Sequence, residues 1–432
     1  MTYLEQYDSL TDDQAKVQLI SRWIRTDWRP FFKELREQRP IFVTPGVTLV
    51  ARFADVTEIL TSPQIFSVRL YAPHLDPVAG GPLMLSRDET AVNWREKGIM
   101  QAVLRPEDLP GVRQMAGRFT DESLHGLSPD GHLEVVSQLG RYVPIRMCGE
   151  YFGFPGPDLK TMYRWSVTIQ SGLFKNLQND PAVHEASVQA GQEMLKYLGD
   201  LLEDKRAEIR NAGSNPPQDT FSRLIRTHFP AELNFDDSRI LANVAGLLIS
   251  VCETTSQAIV QAIEQILARP QIKQEAITAA REPNPDRFDR YVWESLRFNP
   301  INPLLFRYCE SDYTLAAGSA RQAIIPAGTM VLALTASAMF DEDVVPDPDS
   351  FILDRPGWPG FTGLHFGYGH HTCLGRHVAG VMIPEVIRRV LLLPSVRLLP
   401  PPDGSIDFQG GPFPERFVIG FGSQLQGRHE RR

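Results

Sequence analysis

The chain has 432 residues, 42% of them hydrophobic and 22% charged, an ordinary globular composition that excludes a mainly disordered protein. A formal net charge of −8 argues against a general nucleic-acid binder, which carries a basic excess or stripe. Cys148, Cys252, Cys309 and Cys373 stand far apart without a CxxC pair, so neither a disulfide framework nor a zinc finger is indicated and a reducing cytoplasm is expected.

The N-terminus, Met1 to Glu5, carries an acid early and has no apolar signal core. The first hundred residues mix helical stretches with strand-like runs at Ile41-Phe42-Val43 and Thr48-Leu49-Val50-Ala51. From about Asp108 to Arg269 the pattern is mainly helical, broken at Asn211 to Pro217. Within it, a helix is predicted from an N-cap at Asp236 or Asp237 to Arg269, where Pro270 stops it. It is about 50 Å long, and its apolar middle argues for burial. Its longest apolar stretch, Leu241 to Cys252, is interrupted by Asn243 and Ser250 and is too short to span a bilayer, so no membrane partner is expected. A second helix is predicted from the N-cap Asn284, with Pro285 at its first position, to Phe298. Proline, glycine and β-type runs follow, including Ala323-Ile324-Ile325 and Thr329 to Leu332. A last helix, containing Pro384, covers about Leu374 to Leu393.

Between these lies Phe366-Gly367-Tyr368-Gly369-His370-His371-Thr372-Cys373-Leu374-Gly375-Arg376. Two glycines permit a tight turn, and a cysteine at a helix start is favoured as a thiolate by backbone N–H groups and the helix dipole. Such a thiolate is a soft, electron-donating ligand for haem iron. A structural cysteine is the bland alternative. Zinc is another, because His365, His370, His371 and His377 surround Cys373, although their spacing fits zinc sites poorly.

The run resembles the cysteine-ligand loop of the cytochrome P450 family, Phe-Gly-x-Gly-x-His-x-Cys-x-Gly, matched at Phe366, Gly367, Gly369, His371, Cys373 and Gly375. The resemblance implies that Cys373 is the axial ligand of haem b, that His371 binds a haem propionate and that Phe366 packs beside the sulfur. Glu294 and Arg297, three residues apart, resemble the family's Glu-x-x-Arg element, with Arg355 as the supporting arginine from the later meander. Phe306-Arg307-Tyr308, before Pro326-Ala327-Gly328-Thr329 and Pro346-Asp347-Pro348, makes Arg307 the second propionate partner by the same resemblance. Asn93 and Lys97 stand where many members carry His and Arg, with Arg95 as a rival.

On the long helix, Glu253-Thr254-Thr255 resembles the family's acid–alcohol pair, with Thr254 holding dioxygen and a water and Glu253 relaying protons. Ser250-Val251 departs from the usual Ala/Gly-Gly, and stiff Val251 is expected to narrow the oxygen groove. Ala338 to Asp341 departs from the family's usual approach to the meander. Substrate contacts are expected from Tyr71 to Leu85, Leu247, Val251, Ile301, Leu304, Leu305 and Phe413, a largely apolar set.

The implied architecture is a single haem-binding domain over 1–432, mainly α with a smaller β-rich part in the triangular-prism arrangement of the family. The implied activity is insertion of one atom of dioxygen into a small, largely apolar organic substrate. Electrons would come from NAD(P)H through a separate ferredoxin-type donor and its reductase, docking near Lys97, Arg95 and Arg376. A peroxide-driven peroxygenase, an isomerase or dehydratase needing no external electrons, and a non-enzymatic haem sensor are the rival readings.

Overall fold

β-Branched and apolar runs from the beginning and the later part of the chain pair into one mixed sheet. The computed structural model describes every residue except 89, 129–130, 177–178, 356–362, 412 and 423–432. The described residues form two compact units, each discontinuous in sequence.

The first unit comprises Met1–Ala72, Met84–Asn93 and Asn302–Cys373. Its five-stranded sheet has the order Ile41–Val43, Val47–Val50, Met330–Ala333, Leu305–Cys309 and Phe66–Ser67. Val47–Val50 runs parallel to Met330–Ala333, and the other pairs are antiparallel. The strands predicted at Thr48 and Thr329 are thus each displaced by one residue. The register sets Arg307 opposite Val331, in the second strand from the edge, with neighbours on both sides. One face is closed by Trp23, Phe31, Phe32 and Leu35 against Leu49 and Leu334. Fully burying side chains of this size stabilises by roughly 1.5–3 kcal/mol each, so the strand carrying Arg307 is held by a rigid layer.

The second unit comprises Pro73–Leu83, Trp94–Ile301 and Leu374–Arg432 and is mainly helical. Its long helix, Asp237–Leu267, starts where the sequence indicates: the Asp236 side chain accepts from the Arg239 N–H. It ends two residues before Arg269, and Pro270 opens the next helix, Pro270–Ala280. The Glu294 helix covers Asp286–Phe298 with Pro285 at its N-cap, one residue later than predicted, because Asn284 accepts from the Asp286 N–H instead. The last helix is Arg376–Leu391 and contains Pro384. A three-stranded sheet of His132–Glu134, Val418–Gly420 and Arg397–Leu398 completes this unit.

Asp237–Leu267 is long and apolar enough to cross a membrane by length and composition, but 78% of its most apolar window is buried inside the protein. Between Ala242 and Ile263 every residue is buried except Leu247, Ser250, Val251 and Thr254. These stand at spacings of three and four, so they form one strip on one face of the helix.

Candidate active site

In the first unit, the cysteine loop is shaped by its glycines. Gly367 and Gly369 have φ of 71° and 67°, a region that L side chains rarely adopt. A Cβ on Gly369 would also lie 2.6 Å from the Leu60 carbonyl oxygen. The turn closes through the Cys373 N–H, which donates to the Phe366 carbonyl at 2.9 Å, and the Thr372 hydroxyl, which donates to the Gly369 carbonyl. Cys373 is exposed, whereas Cys148, Cys252 and Cys309 are buried. It precedes the first turn of Arg376–Leu391 by three residues.

His371 lies 2.8 Å from Asp88, Nε2 to Oδ1, and Asp88 also accepts from the Val68 N–H. Burial is the main influence lowering the imidazole pKa; Asp88 opposes it and Arg307 reinforces it. Arg307 is 4% exposed, and its Nη1 donates to the Phe306 carbonyl at 2.8 Å. Burial lowers its pKa, while Tyr71 and Asp88 act the other way. Among the described residues no carboxylate lies within ion-pair distance of Arg307. A buried guanidinium in that situation is costly unless an anion completes it. An exposed thiol in a glycine-shaped turn, beside a buried cation short of a counter-ion, fits a soft metal carried by an anionic prosthetic group.

Arg355, also in this unit, donates to the carbonyls of Pro346, Asp347 and Ser350, so it ties the meander turn. Its following residue, Pro356, lies outside the described residues. Both donors of the Asn93 amide are taken in this structure, by the Met84 carbonyl at 2.8 Å and the Arg87 carbonyl at 3.0 Å, and an amide has only two. It anchors the entry to the helix Ala91–Val103 and has no donor for a propionate. Leu304 and Leu305 are half-buried against apolar clusters of the same unit.

In the second unit, the Arg297 guanidinium binds Glu294 through two bonds of 2.9 and 2.7 Å. Arg297 is 2% and Glu294 8% exposed, so this is a buried bidentate pair. Lys97 is half-buried on its helix, while Arg95 turns to Glu96 at 3.6 Å. Glu96 is buried and held by Arg239 at 2.6 and 2.8 Å and by the Asn243 amide at 2.9 Å. Leu247, Val251 and Ile301 are half-buried and Phe413 is buried; residue 412 beside it is not described.

Glu253 is fully buried. Neither carboxylate oxygen has a hydrogen-bond partner among the described residues. The nearest cation is Arg141, with Nη2 at 3.8 Å. Burial raises the carboxyl to about 7, Arg141 pulls it down and Glu415 pushes it up. Thr254 is half-buried, on the open strip, and its hydroxyl donates to the Ser250 carbonyl four residues back, as Ser250 does to Gly246. The helix continues unbroken through Val251.

Arg141 reaches Glu253 because Gly140 lets the segment Val136–Arg141 approach the long helix: a Cβ there would lie 2.6 Å from Ser256 Oγ. Sequence reasoning passed over Arg141, although an arginine between Leu139-Gly140 and Val143 is a signal, since buried arginines require partners. It also passed over Asp88 and Glu415, which nothing in their local sequence distinguishes from other surface acids.

The sequence model of the family described as cytochrome P450 matches residues 170–405, more than half of the chain. A mycinamicin IV hydroxylase/epoxidase of Micromonospora griseorubida is 28% identical over 386 residues, covering 85% of this chain and 88% of that protein. A vitamin D(3) 25-hydroxylase of Pseudonocardia autotrophica is 27% identical over 363 residues, covering 81% and 82%. The heme domain of a Tepidiphilus thermophilus P450 superposes with a TM-score of 0.77 at 20% identity, covering 92% of this chain and 95% of that one. That last likeness concerns the fold, which is mainly helical with smaller sheets.

Proposed function

Since this chain belongs to the cytochrome P450 family of haem-thiolate monooxygenases, we propose that it binds haem b through Cys373 and oxidises a small, largely apolar organic molecule. The reading is carried by one observation: the thiol of Cys373 is presented in a glycine-shaped turn of the unit that also buries Arg307 without a carboxylate partner. Haem, when bound, supplies activation of dioxygen, one atom entering the substrate and the other leaving as water with two protons and two electrons.

The chain's own residues supply the rest. Cys373 Sγ would hold the haem iron, and Phe366, whose carbonyl accepts from the Cys373 N–H, would flank that sulfur. Arg307 would hold a propionate through its guanidinium N–H donors, and His371 would offer one an N–H, either the Nε2–H now directed at Asp88 or, in the imidazolium form, the Nδ1–H. Lys97 contributes a further cation. Glu253 is poised between its protonated and ionised forms at neutral pH, because burial raises its carboxyl to about 7, and a group poised there both gives and regains protons readily. Thr254 offers its hydroxyl from the open strip. Glu294, Arg297 and Arg355 support the frame.

Leu247, Val251, Ile301, Leu304, Leu305 and Phe413 are the apolar contacts we assign to substrate, an assignment in keeping with hydroxylase relatives whose names carry mycinamicin IV and vitamin D(3). Electrons come from NAD(P)H through a ferredoxin-type donor and its reductase, docking at Lys97 and Arg376; Arg95 is a poorer candidate, being turned to Glu96. The buried thiols of Cys148, Cys252 and Cys309 suit a cytoplasmic location. Because each unit is discontinuous in sequence, we treat 1–432 as one functional domain.

The test is the reduced, CO-bound spectrum of wild type and Cys373→Ala. Wild type should show the thiolate-ligated band and the variant should lose it; a band that survives the substitution refutes the assignment. Product formed with reduced ferredoxin and dioxygen, compared with peroxide alone, separates a monooxygenase from a peroxygenase.

A further inference from the structure

Glu253 is sealed from solvent, yet a residue that gives up protons repeatedly must recover them from water. The cation near it among the described residues, Arg141, does not belong to it alone. Arg141 Nη2 lies 2.9 Å from Glu415 and 3.8 Å from Glu253, and it donates to the Pro414 carbonyl at 3.0 Å. Its guanidinium carbon sits 3.9 Å from the centre of the Tyr163 ring. The Tyr163 hydroxyl is 3.4 Å from Glu415 Oε1. Exposure is graded along the row: the side chain of Glu253 is 0%, Arg141 10% and Glu415 31% accessible.

We propose that Arg141, Glu415 and Tyr163 form the solvent-facing inlet through which Glu253 is reprotonated, with Arg141 as the positioning residue shared by the two carboxylates. The inference rests on the reading of Glu253 as the proton-holding acid.

The arrangement works by competition. When the Glu253 carboxyl releases its proton, the new carboxylate attracts the guanidinium away from Glu415. Glu415, less compensated, then takes a proton from solvent more readily. Passage of one proton inward restores neutral Glu253 and returns Arg141 to Glu415. One proton enters for each one delivered, and no other reactant is needed. Tyr163 holds the guanidinium from its π face, and its phenol, raised by burial and by Glu253, remains a neutral donor toward Glu415. Among the described residues, the groups acting on the Glu253 carboxyl are Arg141 from the segment Val136–Arg141 and Glu415 from beyond Phe413; Tyr163, on Leu159–Gln170, feels its charge.

The two charged neighbours make opposite predictions. Infrared titration of the holoenzyme should show a carboxyl band, identified by its loss in Glu253→Gln, with a midpoint at about 7. Arg141→Gln removes the stabilising cation and should raise the proton affinity of Glu253 about tenfold, whereas Glu415→Gln removes the opposing anion and should lower it. The pH profile of turnover should move in the same two directions, and Arg141→Lys should restore the wild-type position. Midpoints that do not move, or that move in the same direction, overturn the inlet. Should Arg141→Gln fail to fold, Glu415→Gln at the accessible end still decides by its direction. If Glu253→Gln abolishes the limb near 7 while the two inlet variants leave it in place, the inlet falls and the reading of Glu253 stands. A Glu253→Gln enzyme with full turnover and an unchanged profile overturns that reading itself.

Discussion

Replacing Glu253 by glutamine should stabilise the protein at alkaline pH and have much less effect at acid pH. The carboxyl is raised from its ordinary 4.5 to about 7, first by burial and then by Glu415, against the pull of Arg141. Between those two values the folded chain holds a proton that the unfolded chain has lost, so stability falls as pH rises through the window and levels off above about 7. The penalty for ionising Glu253 in place amounts to roughly 3 kcal/mol, of which about 2.5 kcal/mol accrues between pH 5 and pH 8. Glutamine keeps the shape and never ionises, and Arg141 retains Glu415 and the Pro414 carbonyl. Guanidinium denaturation of both holoenzymes at pH 5 and pH 8, at equal haem loading, isolates the term, because contributions common to both cancel. The variant should gain about 2.5 kcal/mol on wild type over that range. A difference that is constant with pH, or one in which wild type gains, refutes the argument that burial dominates at Glu253.

Three further outcomes follow from buried polar contacts. Glu294→Ala leaves Arg297 buried and stripped of its bidentate partner, which should cost about 3–5 kcal/mol, read as a lower denaturant midpoint. Glu96→Ala strands Arg239, and with it the Asn243 amide. A loss of about the same size is expected, with little change in the CO-bound spectrum of the protein that folds. Asp88→Ala removes the partner that orients His371; haem transfer to apomyoglobin should quicken about tenfold, the equivalent of a charge-assisted hydrogen bond of roughly 1.5 kcal/mol.

Elements defined by local chemistry were legible in the sequence. The long helix announces itself by the Asp236 cap and the Pro270 stop, and the cysteine turn by glycines whose positive φ no other residue adopts cheaply. Ends were less legible: at the Glu294 helix a neighbouring side chain and a proline took over the cap, Asn284 and Pro285, and moved the boundary by a residue, and the long helix stops two residues before Arg269. At Asn93 the position in the family's pattern was readable, but not that its amide donors go to the Met84 and Arg87 carbonyls, a tertiary fact of a turn that folds back on the helix entry. Asp88, Arg141 and Glu415 were invisible as a set because each meets its partner across a long stretch of chain, and charge–charge contacts leave no periodicity behind.

The acid–alcohol pair shows what such long-range contacts add. Neighbours on a helix point about 100° apart, and here that angle separates two environments. Thr254 lies on the strip with Leu247, Ser250 and Val251, which among the described residues is the face of the helix's middle that is not fully buried. Glu253 lies off it, enclosed beside Arg141 and Glu415. A motif reading treats the two as a unit, but their surroundings differ, and under the proposed relay they would stand at different ends of it: the alcohol on the side of the substrate, the carboxyl on the side from which protons arrive. Val251 in place of glycine belongs to the first side only. The helix runs unbroken through it, with Ser250 and Thr254 each bonded to the carbonyl four residues back, so we expect the valine to restrict the strip while leaving the carboxyl's surroundings intact. Shape selectivity and proton supply are therefore separable in this chain, and variants at Val251 should alter which substrates are accepted without moving the titration of Glu253.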